Sequence, residues 1–394
     1  MSKKINLVIM GEFAYPNGMA GTRRIQNALD SLKQYSALTV RVLLQRQSTE
    51  HNVLSGVHDG IPYETVMGDL LRVKMFLSLP VLYYRTIAAL RRVFLPNCKN
   101  IIYYYGPLLL ESVVPLTFAK KFGYKIVFDF VEDFDLAKGL SGTVYHYARI
   151  KFSRGLASQI RGLATGIVVI SSHLEEKYRV LTEGKIPIHY MPITVDMDHF
   201  PIKPERMNST ISLHYAGSFG KKDGLPVLLD AFDQLAEKYE NIILILTGRG
   251  DKEAMKEFYA RMEVSPHKDR IEYKGYLEEK DYYSLLIDCD IPCMTRVDHA
   301  FAHAGFPFKL GEFLATGRPV IASRVSDVES FLVNRHNAML VQAGSVTEIC
   351  EAARFLIDNR DAATTIGMRG REVAESFFDY KKQGEALLTF LEKV

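Results

Sequence analysis

The chain has 394 residues, of which 47% are hydrophobic and 24% charged, so it is not a disordered protein and is long enough for two domains. Its four cysteines are too few for a disulfide framework and have no matching metal-ligand pair, so we expect buried thiols in a cytoplasmic protein without a bound metal. The net charge is only +3 and no nucleic-acid recognition motif is present, so nucleic acid is not an expected partner.

Short apolar runs alternate with amphipathic helical stretches, which is typical of an α/β fold with parallel sheets. In the first half the predicted strands are Ile5–Met10, Leu38–Leu44, Ile101–Tyr104, Lys125–Phe130, Gly166–Ile170 and Ile186–His189. This half is basic, because residues 1–200 contain 24 Lys or Arg and 16 Asp or Glu, whereas the remainder contains 25 and 30. The excess predicts an anionic partner, such as a phosphorylated molecule or a membrane surface, unless it is a chance asymmetry.

Two segments of the first half could contact a partner molecule. Residues 70–95 are basic and apolar and contain no acidic residue. That composition suits either a surface helix on an anionic membrane or a buried helix pair with basic rims. Farther along, Glu132 and Asp133 follow the predicted strand Lys125–Phe130. Their carboxylates could orient a hydroxyl group and take its proton, or they could simply cap helices.

The second half repeats the alternation after a proline-bounded join, Met191–Pro201. Its predicted strands are Ile211–Ala216, Ile242–Thr247, Ile271–Lys274, Ile287–Met294, Pro319–Ala322 and Ala338–Val341. A helix between the first two has the buried face Leu225, Leu228, Leu229, Phe232 and Leu235, and the last twenty residues predict one further helix. Two successive series indicate two doubly wound domains, residues 1–192 and 193–377, that face each other across a cleft and bind a different ligand on each side.

Three glycine-rich turns follow predicted strands of the second half, at Gly217, Gly248 and Gly275. Glycine lets a ligand approach the backbone closely, and the neighbouring Lys222 and Arg249 supply positive charge for a phosphate. One such turn is common in α/β proteins. Three at successive strand ends indicate a shared binding site.

The segment Phe306–Ala322 is the strongest single motif. Lys309 and Glu312 stand one helical turn apart at the start of a predicted helix, and that helix ends at Gly317. A lysine at a helix N-terminus suits a diphosphate, and the glutamate could accept hydrogen bonds from a diol such as a ribose. The alternative is an ordinary amphipathic helix with a capped C-terminus.

The order of these motifs resembles the family 4 glycosyltransferases, which have the GT-B fold of two Rossmann-like domains. The resemblance covers nearly all of residues 190–345, and the first half matches more loosely, mainly through residues 16–22. It implies a retaining, metal-independent enzyme with no cofactor other than a nucleotide-diphosphate sugar as co-substrate. It also implies that the final helix, residues 378–394, packs back on the first domain.

The resemblance implies a role for each candidate residue. Glu312 would hold the donor ribose, Lys309 and nearby backbone N–H groups the diphosphate, and Gly275 with Tyr276 the base. Gly21 would let a first-domain loop approach the diphosphate. The donor-binding set is Gly21, Gly217, Ser218, Lys222, Gly248, Arg249, Gly275, Tyr276, Phe306, Pro307, Phe308, Lys309, Leu310 and Glu312, and the catalytic set is Glu132, Asp133 and Lys309.

The chain departs from the family pattern at three positions. Ala304 stands eight residues before Glu312, where many members have a second glutamate, so the group expected to contact the donor sugar is either missing or replaced by His303 or Asp298. Ser218 and Asp223 occupy the positions of the usual arginine and lysine of the first glycine turn. A Pro-x-Lys-x-x-Glu version of the motif, as in residues 307–312, occurs in many family members and favours a working enzyme.

These features predict a hexosyl- or N-acetylhexosaminyltransferase that moves a sugar to a hydroxyl of a glycan or lipid-linked acceptor in cell-envelope polysaccharide or glycoconjugate synthesis. It would work in the cytoplasm or peripherally on the inner face of the plasma membrane, with residues 70–95 as the membrane contact. Two other functions stay open. Ala304 suggests a non-catalytic nucleotide-sugar-binding subunit, and the same fold could serve a sugar-nucleotide epimerase.

Overall fold

The computed structural model describes residues 4–46, 53–67, 75–133, 135–136, 155–202, 210–220 and 223–394. It divides into two compact units, one formed by Met1–Pro192 with Tyr380–Val394 and the other by Ile193–Asp379. Both units are α/β, and in each a mostly parallel sheet is formed by buried apolar strands. Two parallel-sheet domains of this kind are what the alternation of apolar runs predicts.

The first unit contains an eight-stranded sheet. Its strands are β1 (Ile5–Gly11), β2 (Leu38–Arg46), β3 (Ser55–His58), β4 (Ile61–Met67), β5 (Lys99–Tyr105), β6 (Lys125–Phe130), β7 (Gly166–Val169) and β8 (Ile188–Tyr190). Its helices are α1 (Ala20–Leu32), α2 (Met75–Val93), α3 (Leu110–Phe122), α4 (Ser172–Leu181) and the C-terminal helix, Tyr380–Lys393, and residues 155–163 are also helical. The strand order is β3-β4-β2-β1-β5-β6-β7-β8, and only β3 is antiparallel to its neighbour.

The second unit contains a six-stranded parallel sheet in the order β11-β10-β9-β12-β13-β14. Its strands are β9 (Ile211–Gly217), β10 (Ile242–Gly248), β11 (Ile271–Tyr273), β12 (Ile291–Met294), β13 (Ile321–Ser323) and β14 (Met339–Val341). Its helices are α5 (Leu225–Ala236), α6 (Lys252–Glu263), α7 (Glu279–Asp288), α8 (Ala300–Ala304), α9 (Lys309–Ala315), α10 (Val328–Phe331), α11 (Val346–Asp358) and α12 (Arg360–Val373).

Residues that the apolar spacing predicts to be buried lie in the hydrophobic cores. The predicted buried face of α5 is confirmed, because Leu228, Phe232 and Leu235 are fully buried in the hydrophobic core of the second unit. In the first unit the C-terminal helix, hereafter α13, packs against α1, and a Cβ on Gly384 would lie 2.0 Å from Ser31 Oγ. A glycine is therefore needed at position 384 for the two helices to approach this closely.

Two strand predictions fail. The apolar run Ile287–Met294 is not one strand, because its first two residues end α7 and only Ile291–Met294 belong to β12. The predicted strands also do not include the hairpin that β3 and β4 form. Its two-residue turn, Asp59-Gly60, has φ values of 49° and 80°, which matches a turn type that favours Asp-Gly.

Candidate functional site

The three glycine turns lie side by side at the carboxyl edge of the second sheet. Gly217 pairs with Gly248 at the ends of β9 and β10, and the Gly248 N–H donates to the Gly275 carbonyl at 2.8 Å. The strand order reverses between β9 and β12, and doubly wound sheets bind ligands beyond the carboxyl ends of the strands at such a point. The fold therefore gathers motifs that are separated in sequence into one edge.

Two of these glycines are required by the backbone itself. Gly248 has φ +113°, and a Cβ there would lie 1.9 Å from the Gly217 carbonyl oxygen. Gly275 has φ +68°, and a Cβ there would meet nothing within 4 Å. A side chain at position 248 is excluded by the neighbouring strand, whereas a side chain at position 275 would be strained only by its left-handed conformation. Space beside Gly275 is therefore open to a ligand.

Arg249 and Tyr276 meet at the outer end of this edge. The Arg249 guanidinium carbon lies 5.3 Å from the centre of the Tyr276 ring, and the Tyr276 side chain is exposed. This distance is that of a cation–π contact. The pair provides a flat, partly exposed surface beside the Gly275 turn.

The first glycine turn is closed by its own hydrogen bonds. The Ser218 hydroxyl and the Gly220 N–H both donate to Asp223 Oδ2, the latter at 3.3 Å, and the Tyr215 hydroxyl donates to the Ser218 carbonyl at 2.6 Å. Asp223 is thus engaged inside the turn. Lys222, the predicted phosphate ligand here, lies outside the residues that the structure describes.

Lys309 and Glu312 meet at the start of α9, as their spacing suggests. Lys309 Nζ lies 3.2 Å from Glu312 Oε2, and the two side chains are 39% and 14% exposed. Tyr282, on α7, donates its hydroxyl to the same Oε2 at 2.8 Å, and Lys309 Nζ lies 4.1 Å from the Tyr282 ring centre. Burial raises the pKa of Tyr282 well above its ordinary value, and Glu312 raises it further, so the hydroxyl keeps its proton. Sequence reasoning missed Tyr282.

Several other residues of the segment Phe306–Ala322 have buried side chains that a ligand could not contact. Phe306, Pro307 and Leu310 are buried, and the Phe306 ring packs edge-on against Phe331 and Phe378. Proline has no N–H, and the Leu310 N–H donates to the Pro307 carbonyl at 3.0 Å. Pro307 and Leu310 therefore offer no free backbone N–H to an anion in this conformation.

His214 links this motif to the glycine turns. It lies on β9, and its Nε2 is 3.1 Å from Thr247 Oγ1 on β10. Burial, and to a lesser extent the positive charge of Lys309, lower the pKa of His214 to about 3. The imidazole is therefore neutral at ordinary pH. The ring centre of Phe313 on α9 lies 6.3 Å from that of His214, so α9 and β9 lie close together.

Ala304 is fully buried, so its side chain presents nothing to a ligand. The two residues considered in its place contact each other, because His303 Nε2 lies 2.8 Å from Asp298 Oδ1. The Ser326 N–H donates to His303 Nδ1 at 3.3 Å, so the imidazole donates from Nε2 to the carboxylate. Both follow β12 on the chain, toward the carboxyl edge of the sheet.

Gly21 has a packing role within the first unit. It is the second residue of α1, and a Cβ there would lie 2.7 Å from the Tyr105 hydroxyl oxygen. Tyr105 is buried, so a larger residue at position 21 would displace it. The contact with Tyr105 is a sufficient reason for this glycine, and its predicted approach to a diphosphate stays a prediction.

Asp133 does not fit the predicted role of a proton acceptor. Its side chain is 4% exposed, its Oδ2 lies 3.0 Å from His173 Nε2, and its Oδ1 lies 2.5 Å from Lys177 Nζ. Burial raises the pKa of Asp133, but the hydrogen bonds from Lys177 and His173 outweigh it, and the net pKa lies below the ordinary value. The carboxylate is ionised and both of its oxygens are engaged, so it would have to give up one of these hydrogen bonds before it could receive a ligand proton. Glu132, next to it, is half-buried.

His173 is the exposed member of this cluster. It stands in the first turn of α4, and its side chain is 43% exposed. In the neutral imidazole that donates from Nε2 to Asp133, the lone pair is at Nδ1. No single motif in the sequence points to His173, since its partner is forty residues away.

Within the described ranges, no cluster of three or more His, Cys, Asp or Glu side chains could hold a metal ion. Over the same part of the chain, no helix is both long and apolar enough to cross a membrane.

The sequence is similar to known glycosyltransferases. The family model of group 1 glycosyl transferases matches residues 210–359, which contain the whole carboxyl edge of the second sheet. A component of the human phosphatidylinositol N-acetylglucosaminyltransferase is 23% identical over 96% of this chain and 74% of that protein. A phosphatidyl-myo-inositol mannosyltransferase from Mycobacterium leprae is 24% identical over 43% of this chain and 44% of that protein.

Solved structures show the same fold. Sucrose-phosphate synthase from Thermosynechococcus elongatus superposes with a TM-score of 0.80 at 15% identity, over 98% of both chains. Anabaena HepE in complex with UDP superposes with a TM-score of 0.72 at 15% identity, over 99% of this chain and 100% of that one. These likenesses show that the chain has the GT-B fold, and the family model shows that its residues 210–359 are similar to the group 1 glycosyl transferases.

Proposed function

We propose that this protein is a retaining glycosyltransferase that moves a sugar from a nucleotide-diphosphate sugar to a hydroxyl of a glycan or lipid-linked acceptor. The observation that carries the proposal is the cluster of Glu312, Tyr282 and Lys309 beside the three glycine turns. A carboxylate for a diol and an ammonium for a diphosphate, one helical turn apart, match the two polar ends of a nucleoside diphosphate. The relatives named as mannosyl- and N-acetylglucosaminyltransferases support a hexosyl or N-acetylhexosaminyl donor.

The donor would lie along the carboxyl edge of the second sheet. Glu312 would accept hydrogen bonds from the ribose, and the open space at Gly275 with the ring of Tyr276 would receive the base. Lys309 would leave Glu312 and pair with the diphosphate. Since α9 has only seven residues, its dipole adds little, and the charge of Lys309 is the main attraction.

The proposed reaction breaks the bond between the sugar C1 and the diphosphate oxygen and forms a bond from C1 to the acceptor oxygen on the same face. The acceptor hydroxyl proton passes to the departing phosphate. Lys309 stabilises the negative charge that develops on the leaving group, which is the type of contribution that preorganised cations make in such reactions. With that charge supplied by a side chain, we expect the reaction to proceed in the presence of EDTA.

The acceptor would be bound by the first unit. His173 has a lone pair at Nδ1 and could accept a hydrogen bond from an acceptor hydroxyl, and Glu132 is the neighbouring carboxylate. This takes over the role that the sequence suggested for Asp133. Because two relatives are named for a phosphatidylinositol acceptor, phosphatidylinositol is the first acceptor to test.

The donor site is tested by calorimetric titration with UDP, GDP and their common sugar conjugates. We expect one nucleotide to bind with a dissociation constant of about 1 to 1,000 μM, the usual range of such substrates. Release of free nucleotide diphosphate is then measured with phosphatidylinositol and with simple glycans as acceptors. Absence of binding by every nucleotide to the folded protein would contradict the proposal.

One observation favours a second candidate, a non-catalytic nucleotide-sugar-binding subunit. Ala304 is buried, and Ser218 and Asp223 bond to each other in the first glycine turn. The glutamate, arginine and lysine that many family members have at these three positions are therefore absent from this chain. If the protein binds the donor but releases no nucleotide diphosphate with any acceptor, it is the non-catalytic subunit. Conversion of the bound sugar into its epimer would instead identify an epimerase.

We also propose that the first unit contacts an anionic membrane through α2 and α3. Val81 and Tyr84, the latter 75% exposed, share the outer face of α2 with the exposed Arg85 and Arg91. The Arg91 guanidinium lies 4.7 Å above the ring of Phe118 on α3. Basic and aromatic side chains on one helical face suit the headgroup region of an anionic bilayer. Residues 70–74 of the predicted contact lie outside the described residues.

Charge reversal at Arg85 and Arg91 is expected to reduce binding to vesicles that contain phosphatidylglycerol at least about tenfold, because each basic residue near an anionic surface contributes about 1 kcal/mol. Sedimentation with phosphatidylcholine vesicles, with and without phosphatidylglycerol, measures the effect. The matched control reverses Lys252 and Lys256 on α6, two exposed lysines in the other unit. If both double variants lose the same amount of vesicle binding, only the net charge of the protein matters. That result would contradict a specific membrane-binding surface on α2 and α3.

A further inference from the structure

The two oxygens of Glu312 have different surroundings. Oε2 accepts hydrogen bonds from the Tyr282 hydroxyl at 2.8 Å and from Lys309 Nζ at 3.2 Å. In the part of the chain that the structure describes, Oε1 receives no hydrogen bond. A carboxylate with one oxygen held and the other open has a fixed orientation and a defined acceptor for a ligand.

The side chains around Glu312 are themselves held. Tyr282 is buried on α7, and the adjacent Tyr283 stacks on His199 with a centroid separation of 4.8 Å. At the C-terminal end of α9, the guanidinium of Arg371 donates to the Ala315 carbonyl, and the same nitrogen donates to the Phe200 carbonyl at 2.7 Å. Both helices are therefore anchored to the same segment, residues 199–200. The distance between the Tyr282 hydroxyl and Glu312 is set by packing and not by the ligand.

Lys309 cannot serve as the permanent partner of Glu312. On the proposed function, its ammonium moves to the diphosphate when the donor binds, and Glu312 loses one of its two hydrogen bonds. The Tyr282 hydroxyl stays, because it is buried and its ring is fixed on α7. A carboxylate without that bond could rotate away from the ligand.

We propose that Tyr282 is a positioning residue for ribonucleotide recognition: its hydroxyl holds Oε2 of Glu312 so that Oε1 faces the ribose hydroxyls of a nucleoside diphosphate. This rests on the proposed function, since it assigns a role within the same donor site. Tyr282 itself does not touch the ligand. Its effect is the selectivity of the site for ribose over 2′-deoxyribose.

The test compares Tyr282→Phe with Tyr283→Phe by calorimetric titration with UDP, GDP and their 2′-deoxy analogues. Phenylalanine keeps the buried ring and removes only the hydroxyl. We expect Tyr282→Phe to weaken the ribonucleotide about tenfold, the usual effect of one lost hydrogen bond to a charged group, and to weaken the deoxy analogue much less. Tyr283→Phe, one residue along the same helix, removes a hydroxyl that does not bond to Glu312 and should leave the ratio unchanged.

A double-mutant cycle gives the second readout. In a Glu312→Ala background, Tyr282→Phe should have no further effect on ribonucleotide binding, because the hydroxyl acts only through that carboxylate. Unchanged ribose selectivity in Tyr282→Phe, with normal binding by the wild type, would overturn this inference and leave the donor site intact. Equal weakening of ribo- and deoxyribonucleotides would also overturn it, since that indicates a general structural role. No nucleotide binding by the wild type would overturn the donor site itself.

Discussion

The Lys309→Ala variant is expected to transfer sugar about 10²- to 10³-fold more slowly than the wild type, which is the usual cost of removing one preorganised group from a developing charge. Lys309 stands at the start of α9, and in the proposed complex its charge would face the diphosphate. Asp223 in the first glycine turn is acidic and bonded to Ser218, so that side chain supplies no positive charge in place of Lys309.

Single-turnover rates with the identified donor measure this loss, and calorimetry separates its cause. Nucleoside diphosphate should bind more weakly to Lys309→Ala, whereas the nucleoside alone should bind as before, because the ribose contact is made by Glu312. Lys309→Arg should recover part of the rate, and Lys268→Ala, which removes an exposed lysine paired with Glu263, serves as the surface control. A normal rate in Lys309→Ala would exclude this lysine from the reaction.

The Arg24→Met variant is expected to lose about 3 to 5 kcal/mol of unfolding free energy, because it leaves a buried carboxylate without its partner. Arg24 Nε and Nη2 lie 2.9 and 3.0 Å from the two oxygens of Asp129, and both side chains are fully buried. The same guanidinium donates to the carbonyls of Pro192 at 2.8 Å and Met191 at 3.1 Å. It therefore ties α1 and β6 to residues 191–192, where the first segment of the first unit ends.

Urea unfolding followed by circular dichroism measures the loss. The Arg24→Met, Asp129→Leu double variant should be less destabilised than Arg24→Met alone, since it removes the orphaned charge as well. Lys33→Met, which breaks the exposed pair with Asp30, should cost less than about 1 kcal/mol. A similar loss in Lys33→Met and Arg24→Met would mean that burial of the Arg24 pair has no special effect.

The boundaries of the continuously apolar strands are predictable to within about three residues. Parallel strands that are buried on both faces consist almost entirely of hydrophobic residues, so they stand out in the sequence. The β3–β4 hairpin was not predictable, since β3 is mostly exposed and β4 contains Pro62 and Glu64. Only the Asp59-Gly60 turn signalled it. The run Ile287–Met294 failed for a different reason: short apolar runs do not distinguish the buried end of a helix from a strand.

Local sequence was sufficient for the alternation of helices and strands, for the glycines at the strand ends and for the pairing of Lys309 with Glu312, because each depends on residues within one turn or one strand. Only the tertiary structure decided which side chains remain available to a ligand. Packing buries the Phe306 ring, engages Asp133 with His173 and Lys177, and brings Tyr282 to Glu312 from thirty residues away. Such contacts depend on how elements that are far apart in the sequence pack together. A local pattern of residues does not show which distant side chains will meet.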